Sequence, residues 1–200
     1  MEGARATLPR MAAELYIPEI ADILPSKRHV AFRAGNKGLP GPDDPMFAPL
    51  VSAYREGTRL ILPRGAWLTL PASDVGPLPA EFAGVTRVTL GVTTVGAALD
   101  DAIAAAMDEG RQLPGVLLDA FGSEAVEGVS EALDAILRTR HGRGTRRFSP
   151  GYGDLSILEN VAILARLGID FVTANPQTGI LQPRKSTVFL IGWFEEEKAS

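Results

Sequence analysis

The 200-residue chain contains no cysteine. That excludes disulfides, zinc–thiolate and iron–sulfur sites, and any thiol nucleophile. Histidine is nearly absent: His29 and His141 are the only two, too few for a histidine-rich metal site and few candidates for a Ser-His-Asp triad. As lone histidines they are expected to be solvated. No segment approaches the roughly 20 apolar residues of a membrane span, and the opening MEGARATLPRMAAEL lacks a secretory apolar region. A soluble protein with no membrane partner is expected, and a cytoplasmic location fits. Blocks of one charge are missing too. The 20 Lys and Arg and 24 Asp and Glu are interspersed to a net −4, which provides no basic face for nucleic acid. Neither GxGxxG after a strand nor GxxxxGK[ST] occurs; GNKGLPG has glycines three apart but neither context.

What is present is 46% hydrophobic residues, enough for one sizeable core. A single domain over 1–200 is expected, with an irregular N-terminal segment to residue 45 and a core from 46 to 194. GNKGLPGPDDP, 35 to 45, is too rich in glycine and proline for a helix or central strand and reads as a loop. FAPLVSAYREG, 47 to 57, reads as a helix ending at Gly57. TRLILP and AWLTLP read as short strands around Pro63-Arg64-Gly65, and VTRVTLGV, 85 to 92, alternates as a strand. VGAALDDAIAAAMDEG, 95 to 110, places Leu99, Ile103 and Met107 on one helical face and ends in glycine.

A longer helix is predicted from about Leu117 to Arg138. Leu118, Gly122, Ala125, Val126, Val129, Leu133 and Ile136 form its apolar stripe, and Asp119, Ser123 and Glu127 a polar line on its flank. SILE, 156 to 159, has the capping-box pattern and opens a helix closed by Gly168. IDFVT and STVFLIGWF, with NPQTG between them, read as the last two strands. Because helices and strands do not alternate as strand–helix–strand units, the fold class is α+β with a mainly antiparallel sheet.

One stretch combines chemistry with stiffness. In RRFSPGYGD, 146 to 154, Pro150-Gly151 predicts a tight turn with positive φ at Gly151 or Gly153, holding Arg147 and Tyr152 at fixed distances. An arginine fork, backbone N–H groups and an aromatic face suit a ligand bearing both a carboxylate and a cation. The plain alternative is an ordinary loop between two helices. Glu127 is either a ligand contact or one member of a solvated face with Glu124, Glu131 and Asp134. Lys185 reads as a surface lysine, and Trp67 and Trp193 as core or interface anchors.

Residues 147–154 also resemble the R-x-[AS]-P-G-Y signature of the activation domain of cobalamin-dependent methionine synthase. LLDAFGSEAVE (117 to 127), LQPRKSTVFLIG (181 to 192) and LILPRGAWLTL (60 to 70) are similar to further segments of that family, in the same order. The resemblance implies a C-shaped α+β domain, with helices flanking a twisted antiparallel sheet, that binds S-adenosylmethionine. It implies Arg147 on the ligand's carboxylate, Ser149 and Gly151 contacting it through the Pro-Gly turn, Tyr152 against it and Glu127 close by. The family's activity is reductive methylation of inactive cob(II)alamin, with a flavodoxin or ferredoxin-type protein as electron donor. In the large multidomain enzymes the closing strand carries adjacent aromatics that touch the ligand; the matching stretch here is Thr187-Val188-Phe189-Leu190.

Base-off corrinoid binding needs D-x-H-x-x-G. His141-Gly142-Arg143-Gly144 keeps H-x-x-G, but Thr139 stands where Asp is required. The cobalamin is therefore expected on a separate corrinoid-binding methionine synthase module or subunit, with this chain acting in its reactivation. The alternative of another class is a non-catalytic module of the same fold that docks onto a corrinoid protein or other partner.

Overall fold

The computed structural model describes residues 12–195. The opening MEGARATLPRM, a part of the expected N-terminal segment, lies outside them. Its core is a four-stranded sheet in the order β1 (Glu14–Tyr16), β2 (Arg64–Pro71), β3 (Arg87–Thr94) and β6 (Ser186–Trp193), antiparallel throughout. The α+β class with an antiparallel sheet is therefore observed. β3 is paired along all eight residues on both sides.

Its sequence, RVTLGVTT, alternates as a strand with one wet face would, yet seven of its eight residues are buried. Val88, Leu90 and Val92 pack with Val188 and Leu190 of β6 against Ile163, Leu164 and Leu167 of α6 (Glu159–Leu167). The opposite face carries Thr89, Gly91 and Thr93, and each meets a specific neighbour. Trp193 Nε1 donates to Thr89 Oγ1 at 2.7 Å, Thr93 Oγ1 lies 2.7 Å from Ser130 Oγ, and the Phe189 ring fills the space above Gly91. Buried hydroxyls are tolerated because they are paired.

Over that second face lies the C-terminal half of α5 (Gln112–His141), whose Leu133 and Leu137 join Trp67, Phe189, Ile191 and Trp193. Thirty residues give α5 a length of about 45 Å. Its N-terminal half serves a different core, where Leu117, Leu118, Phe121, Ala125 and Val129 pack against α3 (Phe47–Leu60), α4 (Ala98–Asp108), α1 (Ile20–Ile23) and α2 (Lys27–Arg33). One helix thus spans a helical layer and a sheet layer.

Several local readings are corrected. β1, α1 and α2 occupy part of the stretch expected to be irregular. Gly57 does not stop α3: the helix runs to Leu60, and the glycine is needed because a Cβ there would sit 2.4 Å from Phe121 Cδ1. TRLILP is accordingly helix end and extended linker rather than strand. α5 extends beyond both predicted ends, and its stripe closes with buried Leu137 while Ile136 is exposed. Met107 is likewise exposed on α4, whereas Leu99 and Ile103 are buried as expected.

SILE makes no capping box. Three successive tight-turn bonds precede the helix, so Ser156 Oγ accepts from Leu158 N at 3.2 Å and the Glu159 amide goes to the Ser156 carbonyl at 3.1 Å. IDFVT is not a strand of the main sheet. Only Thr173–Ala174 (β4) pairs, with Leu181–Gln182 (β5) across the NPQTG turn, while Ile169, Phe171 and Val172 pack under the sheet. The 35–45 loop, the strand at β3 and the Gly168 stop stand as read.

Candidate functional site

Beyond His141 the chain turns back along the outer edge of β6. Thr145 N donates to the Gly192 carbonyl at 2.8 Å, and Phe148 exchanges both backbone bonds with Leu190 at 2.9 and 2.8 Å. A segment pinned this way has little freedom, and Phe148 is further held edge-on against Phe82. Ser149-Pro150-Gly151-Tyr152 follows as a turn closed by Tyr152 N to Ser149 O at 3.3 Å. Proline first and a glycine at φ +94° second is the type II pattern, which a side chain at position 151 would strain.

This turn, the flank of α5 and the start of β6 enclose an open cleft of about 550 Å³. Glu127, Asp134 and Arg138 line it from α5, Arg146, Arg147, Phe148, Ser149 and Tyr152 from the pinned segment, and Thr187 from β6. Four of the five residues expected at a site therefore meet in one volume. The fifth, Gly151, shapes the turn and does not line the cleft. Its size lies in the range of small-ligand pockets.

Inside it the charges are partly paired. Arg147 donates through Nη2 to Glu127 Oε1, with the guanidinium 6.0 Å from the centre of the Phe189 ring. Arg147 is 19% exposed and Glu127 46%. The remaining donors of the Arg147 fork have no protein partner among the described residues, nor does the Ser149 N–H, because the strand-like bonds of this segment fall on Phe148. Tyr152 stands at the rim, 70% exposed. An arginine with spare donors, a free backbone N–H and an exposed ring are the parts that a carboxylate-bearing ligand with a flat or cationic group requires.

Sequence reasoning missed Asp134, Arg138, Arg146, Phe148 and Thr187 as cleft residues. The i, i+4 spacing of Asp134 and Arg138, which form an ion pair at 2.8 Å, was a visible signal. Lys185 was misread as a surface residue. Its Nζ is drawn in to Asp119 Oδ1 at 2.7 Å and Ser123 Oγ at 2.9 Å, leaving its side chain 13% exposed. So the polar flank of α5 is occupied at both ends, by Lys185 and by Arg147.

His29 is exposed as expected, whereas His141 is not simply solvated. Its ring packs on Trp193 with centroids 5.0 Å apart, and its nitrogens lie 3.3 Å from Thr69 Oγ1 and from Arg87 Nη1. Burial, followed by the Arg87 and Arg140 charges, pushes it below the usual imidazole value, with Glu14 opposing. A histidine so committed does not fit the axial ligand of a corrinoid. Trp67 and Trp193 are core residues, as expected. No helix among the described residues is long and apolar enough to cross a membrane.

No family model and no curated protein matches the chain. Among solved structures, the MetH reactivation domain crystallised with AdoHcy is similar, with a TM-score of 0.66 at 12% identity, over 96% of this chain and 81% of that one. The two share a fold.

Proposed function

We propose that this chain binds S-adenosylmethionine in the cleft between α5 and the 146–152 segment and supports reductive methylation of a corrinoid carried by a separate methionine synthase module. One observation carries the reading: Glu127 of α5 and Arg147, Ser149 and Tyr152 of the returning segment line a single cleft in a fold shared with a reactivation domain.

In this reading the spare donors of Arg147 take the ligand's carboxylate, the Ser149 N–H donates to a second polar group, and Tyr152 covers the ligand from the rim. Bound there, S-adenosylmethionine would supply an electrophilic methyl group to a partner's corrinoid that a flavodoxin or ferredoxin-type donor has reduced, and S-adenosylhomocysteine would be the leaving group; Arg147, Ser149 and Tyr152 would hold it for that transfer. Little acid–base work is required, so the chain's contribution is orientation and exclusion of alternatives.

Calorimetric titration with S-adenosylmethionine, beside Arg147→Ala, tests this directly. Micromolar binding, about −8 kcal/mol, that the variant loses supports the reading. A second reading, a docking module without methyl transfer, is favoured by two features: Glu127 already engages Arg147, and β6 offers the cleft Thr187 in place of aromatic side chains. No heat at millimolar ligand from folded protein selects it.

A further inference from the structure

Three guanidinium groups border the cleft, and they are not equally free. Arg138 is engaged twice: Nε donates to Asp134 Oδ2 at 2.8 Å and Nη2 to the Thr145 carbonyl at 2.9 Å, tying the helix to the returning segment. Arg147 is shared with Glu127. Arg146 has no ion pair and no side-chain hydrogen bond among the described residues, yet it lines the same cleft.

We infer that Arg146 is a second anchor for the ligand's carboxylate beside Arg147; this rests on the proposed S-adenosylmethionine site. A carboxylate arriving at Arg147 must share that cation with Glu127 and lie close to a like charge. At Arg146 it meets an uncompensated cation, and forming the pair breaks nothing. The backbone beneath Arg146 is fixed, because its carbonyl accepts from Thr145 Oγ1 at 2.9 Å and Thr145 and Phe148 are bonded to β6 on either side. Its Cα is thus held in place while its charge is unspent, the arrangement in which an incoming anion orders only one side chain. With two acidic side chains and three arginines, the cleft carries one excess positive charge, matching one carboxylate.

The test compares three probes on the full chain by calorimetry. S-adenosylmethionine and S-adenosylhomocysteine carry the amino-acid carboxylate, and 5′-methylthioadenosine lacks it. Arg146→Ala is expected to weaken the first two about tenfold or more, as loss of a charge-assisted pair does, and to leave methylthioadenosine unchanged. Arg146→Lys restores part of the loss. Unchanged melting of Arg146→Ala confirms that the fold is intact, since its side chain holds no hydrogen bond or ion pair among the described residues. Wild-type affinity in Arg146→Ala, or equal weakening of all three probes, overturns the inference while the proposed site stands. If the wild-type protein binds none of the three, the proposed function fails and this assignment with it.

Discussion

The ammonium of Lys185, just before the last strand, donates to the carboxylate of Asp119 on the long helix at 2.7 Å, across 66 residues of chain. Lys185 is mostly buried and Asp119 half exposed, so the two partners are not equivalent. Removing Asp119 strands a buried cation, whereas removing Lys185 leaves a carboxylate that water reaches. Asp119→Ala is expected to cost about 1–3 kcal/mol and Lys185→Met less, read from urea unfolding. Equal costs would mean that the pair is no more than surface decoration.

At the turn, Gly151→Ala places a side chain where φ is +94°. Strain of about 1 kcal/mol or more is expected in thermal unfolding, and because Tyr152 is the next residue, ligand affinity falls with it. Gly153→Ala, also at positive φ, provides the comparison: strain there without loss of affinity assigns the effect at 151 to the placement of Tyr152. An unaltered affinity in Gly151→Ala removes Tyr152 from the site.

His141 gives the pH dependence. Its folded value lies below the ordinary 6.5, so the unfolded chain binds the proton more readily. Stability from this group is complete above about pH 6.5 and declines as pH falls through that value toward the lower folded one. Arg87 and Arg140 raise the cost of a charged ring, Glu14 offsets part of it, and Thr69 is neutral. Between pH 7.5 and 6 the melting temperature of the wild type should fall, and that of His141→Gln should fall less. Parallel slopes would assign the dependence to other groups.

How much of this was legible in the sequence follows the range of the forces involved. α4, the body of α5, the Gly168 stop and the alternation of β3 are written in local periodicity, and each was found. Gly57 was misread because glycine usually ends a helix, and what requires it there is Phe121, 64 positions away and invisible to any local rule. Lys185 failed for the same reason. The site divides similarly: four of the five residues named for it converge, while Asp134, Arg138 and Thr187 reach the cleft only because α5 crosses the sheet. Spacing along the chain encodes which face of a helix a residue occupies, but not what that face will meet.

The backbone bonds between Phe148 and Leu190 have one more consequence. A sheet's outermost strand is where a second chain can add itself, and proteins commonly shield it. Here the shield over β6 is the stretch that leads into the cleft. Damage to that stretch therefore threatens two properties at once, recognition and solubility, and the second can fail first. Variants of 145–149 belong on a sizing column before they reach a binding assay, because an unguarded β6 would announce itself as self-association.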